Sequence, residues 1–167
     1  MARSPLVRLP KPMIKGFSSA HRALVSLTGG RLGGKFRGQP LILLTTTGRK
    51  SGKDRTWPLV GLSIEADAAP DAAHAAGAAG SAPKSGWVVA ASNGGHDAQP
   101  AWYLNLQAHP EATVHAGSDE VRVRARDASP AERARHWPRF VETLGTYAEY
   151  QEATDREIPV VLLEPVT

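Results

Sequence analysis

Strand-like runs crowd this chain without the regular helical crossovers of a parallel sheet, and that spacing narrows the fold more than any other feature. The runs are "LILLTTT" (41–47), "TWPLVGLSIE" (56–65), "GWVVAAS" (86–92), "ATVHA" (112–116), "EVRVRARDA" (120–128) and "IPVVLLEP" (158–165). Each is short and rich in β-branched or apolar residues. A doubly wound sheet would need strands and helices to alternate regularly. The spacing instead predicts a mostly β fold of about six strands: a small, mostly antiparallel barrel with helices packed outside. Pro58 places the second run at an edge or a bulge, because proline cannot donate to a ladder. In 120–128, Val121, Val123 and Ala125 alternate with Arg122, Arg124 and Arg126, so one face is buried and the other solvated. Gly117-Ser118 supplies the turn of a hairpin with 112–116.

Three helical stretches accompany the strands. In 12–28, Met13, Ile14, Phe17, Ala20, Leu24 and Leu27 recur at three- and four-residue steps, the pattern of an amphipathic helix, and "GGRLGG" ends it. "AWYLNLQAH" (101–109) reads as a short helix between Pro100 and Pro110. Ser129-Pro130-Ala131-Glu132 joins a capping box to a proline in the first turn and opens a helical stretch over 130–154, with breaks expected near Pro138 and Gly145. Residues 66–86 hold ten alanines among 21 positions with Gly and Pro interspersed, which predicts a mobile insertion at a hairpin tip. The expected organisation is an N-terminal helix and Gly-rich linker over 1–34, then one barrel domain over 35–167.

Charge separates the chain into unequal parts. Residues 1–55 carry twelve Lys/Arg and one Asp, a net of +11, and the remainder of the 167 residues carries −7. Such asymmetry points to an anionic partner for the first third: nucleic acid, a membrane surface or a small polyanion. The cations are interleaved with apolar strand residues and no nucleic-acid recognition motif is present, so nucleic acid ranks last. There are no cysteines, which excludes disulfides, a thiolate nucleophile and thiolate metal ligands and suits a reducing compartment. The six histidines show no metal-ligand spacing. No apolar run reaches the roughly 18 residues of a membrane span, and no signal-peptide core follows the N-terminus. A cytoplasmic protein is expected, with the 12–28 helix either covering the barrel or touching the inner face of the membrane.

Three stretches carry candidate chemistry. "TTTGRKSGKDRTWPL" (45–59) leaves a buried strand and places Arg49, Lys50, Lys53 and Arg55 within seven positions. Glycines, hydroxyls and cations at a strand end can hold a phosphate or a carboxylate, and they also make an ordinary solvated turn. The order of the nucleotide-hydrolase phosphate loop is absent. "ASNGGHDAQPAWYLNL" (91–106) is strand, glycine turn and helix, a possible cradle for an anion or cofactor, with Trp102 and Tyr103 available as ring walls or as core. In "TYAEYQEATDR" (146–156), Tyr147 and Tyr150 share a helix face and could donate to a reducible oxygen, or simply pack.

Taken together, "LLTTTGRKSGKDRTWPL", "VVAASNGGHDAQPAWYLNLQAHPEATV", "ARDASPAERARHWPRFVE" and "YAEYQEATDREIPVVLLEP" resemble the deazaflavin-dependent nitroreductase family, also described as quinone reductases using coenzyme F-420. They occur in that order over most of 40–165. The resemblance implies a split β-barrel of the flavin-reductase kind. It also implies a cofactor with a flavin-like ring, a phosphate linkage and an oligoglutamate tail, whose charges would answer the basic turn. By motif position, Arg49, Lys50, Ser51 and Arg55 would hold the phosphate and tail. Thr56, Trp57, Pro58, Leu59 and Val60 would run beside the ring. Ala90, Ala91, Ser92 and Asn93, with Ala101, Trp102, Tyr103, Leu104 and Asn105, would supply backbone contacts and a wall. Tyr147, with Tyr150 on the same face, would meet the substrate, and Ser92 would be a second hydrogen-bond donor. No metal is implied. Relatives often carry an aromatic where Val60 stands and more aromatics around the Tyr147–Tyr150 helix, where this chain has Leu144 and Ala153; some carry lysine at Asn93. The expected activity is hydride transfer from reduced coenzyme F-420 to a quinone or another planar, electron-poor acceptor. The alternatives are an FMN-dependent reductase of the same fold and a non-catalytic protein that binds a flavin or a lipid. The oligomeric state is left open.

Overall fold

The computed structural model describes residues 35–36, 39–64 and 86–166. The helix expected over 12–28 and the body of the 66–86 insertion lie outside these residues. Eight strands form one antiparallel sheet: β1 (Lys35–Phe36), β2 (Gln39–Thr47), β3 (Asp54–Val60), β4 (Leu62–Ser63), β5 (Trp87–Ala90), β6 (Glu111–Ala116), β7 (Asp119–Asp127) and β8 (Val160–Pro165). Among the described residues three α-helices accompany them: α1 (Ala101–Ala108), α2 (Pro130–Thr143) and α3 (Thr146–Glu152). All six runs expected as strands contain strands, but the run 56–65 divides at Gly61 into β3 and β4, and β1 is a two-residue addition.

The spatial order is β1-β2-β6-β7-β8-β5-β4, with β3 also on β2. Only Gly61 separates β3 from β4, yet they lie at opposite ends of the sheet. A flat sheet could not join its two ends through one residue, so this one curls into a half-barrel. Gly61 sits at the closure, where a Cβ would stand 2.8 to 3.0 Å from three Ile42 side-chain atoms. As expected for Pro58, β3 is an edge strand, paired among the described residues with β2 alone, Pro58 opposite Leu43.

The curl creates two cores from one alternating pattern. On β5 and β8, Trp87, Val89, Val161 and Leu163 point into the half-barrel, where they meet Leu44, Val114, Val123 and, from α1, Trp102 and Leu106. The intervening Val88, Ala90, Val160 and Leu162 point outward against Phe140 of α2 and Tyr147 of α3. Both faces of these strands are therefore buried, which is why they read as continuous apolar runs. Phe140 is fully buried, and truncating such a ring to alanine costs about 3 to 5 kcal/mol.

The capping box that opens α2 forms as expected: Ser129 Oγ accepts from Glu132 N, and Glu132 Oε2 accepts from Ser129 N at 2.8 Å. Pro138 does not break α2, contrary to the sequence expectation. Pro138 and Ala134, whose carbonyl it leaves unbonded, are both exposed, so water can satisfy that carbonyl. The break expected near Gly145 does occur, at Leu144-Gly145 before α3. Among the described residues, no helix is long and apolar enough to cross a membrane.

Candidate functional site

Strand register brings the candidate stretches to one rim. Thr47 ends β2 opposite Asp54, which starts β3; Thr46 pairs with Ala112 near the start of β6. Asp127 ends β7 opposite Val161, and Val160 starts β8 opposite Ala90, which ends β5. The 48–53 turn, the 91–100 loop and the segment before β8 therefore emerge at the same end of the half-barrel, beside α1.

Asn105 fastens the basic turn to α1. It is buried, its Oδ1 accepts from Arg49 N at 3.2 Å and Arg49 Nη1 at 3.4 Å, and its Nδ2 donates to Thr46 Oγ1 at 3.1 Å. The turn closes on itself through Gly48 N to the Lys53 carbonyl and Gly52 N to the Gly48 carbonyl, at 2.9 and 2.8 Å. Arg49, Lys50, Ser51, Lys53 and Arg55 are all exposed. Among the described residues none of the four cations joins an ion pair, whereas Arg122, Arg126 and Arg133 each have a carboxylate partner. A tethered turn whose four exposed cations join no ion pair among the described residues fits a polyanionic group.

The run over 56–60 divides by strand alternation. Trp57 and Leu59 pack against the core inside the half-barrel. Val60 packs on the outer cluster with Tyr147 and Tyr150, and Thr56 bonds Thr45 at 2.9 Å on the same outer face. Side chains from Thr56, Pro58 and Val60 can thus flank a ring, while Trp57 and Leu59 can reach one only through backbone.

The 91–96 loop is unusual in backbone. Ala91 is fully buried, and Asn93, Gly94 and Gly95 follow one another at φ +49°, +63° and +76°. A Cβ on Gly95 would stand 3.0 Å from Ala153 Cβ and 3.1 Å from Tyr150 backbone atoms, so the loop lies directly on α3. Arg156 secures it from beneath. Nε donates to the His96 carbonyl at 3.0 Å and Nη1 to Gln99 Oε1 at 3.1 Å. Nη2 donates to the carbonyls of Ala91 and Ser92 at 3.1 and 2.9 Å. Burial lowers the Arg156 pKa, opposed by the nearby Asp97 and Tyr103. Thr154 Oγ1 donates to Asp97 at 2.9 Å, and Asn93 Nδ2 to the Ala98 carbonyl at 2.8 Å.

On α1, Ala101 is exposed, Leu104 half-buried, and Trp102 belongs to the core. The Tyr103 hydroxyl donates to Asp127 at 3.1 Å, and burial followed by the Asp127 charge pushes its pKa up to about 12. On α3, Tyr147 is buried against Phe140, Trp137 and Tyr150, with ring centroids 5.2, 6.2 and 5.8 Å away. Burial first, then the Tyr150 charge, raises the Tyr147 pKa, so the phenol stays neutral and can donate. No described residue hydrogen-bonds its hydroxyl. Tyr150 is half-buried. Among the described residues no group of His, Asp or Glu is placed to hold a metal ion.

Sequence reading missed the tethering roles of Arg156 and Asn105 at this rim. The one available signal was that Arg156 is the only Lys or Arg after Arg139, within an otherwise acidic stretch.

The family described as F420H(2)-dependent quinone reductase matches residues 18–165 of this chain. The F420H(2)-dependent quinone reductase Rv1261c of Mycobacterium tuberculosis is 33% identical over 146 residues, covering 86% of each chain. Rv3178 of the same organism is 44% identical over 78 residues, 47% of this chain and 66% of Rv3178. Among solved structures, F420-H2 dependent reductase FDR-A is 36% identical with a TM-score of 0.59, covering 75% of this chain and 94% of its own. A chain described as a domain-swapped dimer is 32% identical with a TM-score of 0.62, covering 92% of this chain and all of its own. With the family model spanning residues 18–165 and Rv1261c matched over 86% of its length, this chain belongs to the F420H(2)-dependent quinone reductase family.

Proposed function

We propose that this chain reduces a quinone or a similar planar, electron-poor acceptor with reduced coenzyme F-420. The observation that carries the reading is the basic turn after β2: Arg49, Lys50, Lys53 and Arg55, exposed and without ion-pair partners among the described residues, with the turn tethered through Asn105. The anionic linkage and tail of the coenzyme match it in charge, and Arg49, Lys50, Ser51 and Arg55 would hold them. Bound there, the coenzyme supplies the hydride. The protein supplies binding, alignment and exclusion of water. Thr56, Pro58 and Val60 on one side, with the 90–93 backbone on the other, would flank the ring. Tyr147 holds a neutral phenol beside this face, and its proton is available to an acceptor oxygen; Ser92 would be the second donor.

FMN would present one phosphate to the same turn but no glutamate tail. Titration with coenzyme F-420, read by ring fluorescence, is expected to saturate at micromolar concentrations and to resist competition by FMN. No fluorescence response, or displacement by equimolar FMN, would reject the assignment. Lys50→Ala is expected to weaken coenzyme binding roughly tenfold, the size of one charge-assisted contact, and Lys11→Ala much less.

The amphipathic pattern of 12–28 and the twelve cations of residues 1–55 support peripheral contact with an anionic membrane surface, where lipid-soluble quinones reside. Pelleting with anionic liposomes should fall when residues 1–29 are deleted; equal pelleting would remove the helix as an anchor.

A further inference from the structure

Arg156 commits four of its five N–H donors to the 91–99 loop, across 57 to 65 residues of chain. The arginine is itself fixed. Its carbonyl accepts from Gln151 Nε2 at 2.8 Å, its amide donates to Thr154 Oγ1 at 3.4 Å, and Gln151 Oε1 accepts from Ile158 N at 3.0 Å. A guanidinium so engaged has little left for an anion. It acts on the backbone it grips.

In a trans peptide the carbonyl and the following N–H point in opposite directions, and every peptide among the described residues is trans. Drawing the Ala91 and Ser92 carbonyls toward Arg156 therefore turns the N–H groups of Ser92 and Asn93 the other way. Ser92 lies in the right-handed region at φ −69°, ψ −34°, and Asn93 in the left-handed region at φ +49°. That succession gathers consecutive amides into a concavity suited to an electron-rich oxygen. Both residues are half-buried, and neither amide donates to a described residue.

We propose that Arg156 is a positioning residue. It aims the Ser92 and Asn93 amides into the site, where they donate to a carbonyl oxygen of a bound ring. This rests on the functional reading above. Ring carbonyls occur on both the deazaflavin and the quinone, and the two arms of the test separate them.

The test compares full-length wild type, Arg156→Lys and a Ser92→Pro/Ser92→Ala pair. Lysine keeps the charge but cannot span four acceptors. Proline removes the Ser92 N–H at a φ that already suits it, and Ser92→Ala isolates the loss of the hydroxyl. Without ligand, amide exchange at Gly95 and His96 is expected to accelerate about tenfold in Arg156→Lys, while Gly52 in the basic turn is unchanged. With reduced coenzyme F-420 and menadione as probes, a rise of roughly tenfold in coenzyme Kd assigns the oxygen to the coenzyme. A fall of tenfold or more in menadione kcat, or a matching rise in its KM, with Kd unchanged, assigns it to the acceptor.

Ser92→Pro is expected to lose a further tenfold relative to Ser92→Ala, with Arg156 intact, and this comparison decides the matter if Arg156→Lys does not fold. Faster exchange with Kd, KM and kcat all within twofold of wild type would overturn the proposal, as would Ser92→Pro matching Ser92→Ala. Wild type that ignores the coenzyme would instead overturn the functional reading, whereas responsive wild type matched by Arg156→Lys would overturn only the role of Arg156.

Discussion

Asn105 Oδ1 accepts both the backbone amide and the guanidinium of Arg49, joining residues 56 apart in sequence, while Nδ2 of the same side chain holds Thr46. One buried amide thereby fixes the direction in which the cationic turn leaves β2. Such preorganisation saves the entropy of ordering a loop when an anion binds.

Asn105→Ala should consequently lower both stability and affinity. Unsatisfied partners at Thr46 and Arg49 cost about 1 to 3 kcal/mol. Coenzyme Kd should rise roughly five- to tenfold as the turn loosens. Denaturant unfolding and fluorescence titration check the two effects. An unchanged Kd in a destabilised variant would mean that the turn holds its shape without the tether.

Tyr147→Phe should leave the fold intact, since no described residue depends on its hydroxyl and the ring contacts persist. Acceptor kcat should drop on the order of tenfold to a hundredfold, the range of a lost proton donor, with coenzyme Kd unchanged. Because burial raises the pKa of Tyr147, no loss of activity from its ionisation should appear up to pH 10. Steady-state kinetics from pH 6 to 10 test this, and full activity in the phenylalanine variant would assign the proton to another donor.

Gly95→Ala should be poorly tolerated. Its φ of +76° disfavours a side chain by about 1 to 2 kcal/mol, and the new Cβ would press on Tyr150 and Ala153. A fall in Tm of about 2 to 8 °C is expected for a domain of this size. Moving α3 also moves Tyr147, so kcat should fall with it. A variant as stable as wild type would show that the loop lifts off α3 without penalty.

Glu132 makes part of the stability sensitive to acid. Its carboxylate pairs with Arg126 at 2.8 Å and accepts from Ser129 N, which lowers its pKa from 4.5 to about 2. A carboxylate with a depressed folded-state pKa stabilises fully above pH 4.5 and loses that contribution as the pH falls toward 2. Glu132→Gln retains an oxygen for Ser129 N but loses the charge. Urea midpoints from pH 7 to 2.5 should therefore fall less steeply in the variant below pH 4.5. Parallel curves would show that the Arg126 pair contributes nothing. Both partners of the pair are partly exposed, so added salt should shrink the difference.

The local physics was legible in the residues themselves. Short runs of β-branched or apolar residues marked all six longer strands, alternation marked the faces of 120–128, Pro58 marked an edge, Ser129 with Glu132 marked a helix start, and the motif order marked the family. Each depends on neighbours a few positions away. Pro138 misled because its effect on α2 turns on whether the freed Ala134 carbonyl meets water, a property of the docked helix. The division of 56–60 between two faces followed from alternation, but which face meets the site depended on how the sheet curls between β3 and β4. The two tethers were beyond a single sequence. Asn105 to Arg49 and Arg156 to Ala91, Ser92, His96 and Gln99 join residues 56 to 65 positions apart, and only the closed half-barrel brings them within hydrogen-bond reach. Residue types and short-range order thus determined the elements and the cofactor class. The tertiary structure decided which side chains are free to meet a ligand and which hold the others still, because burial and long-range hydrogen bonding exist only once the chain has closed on itself.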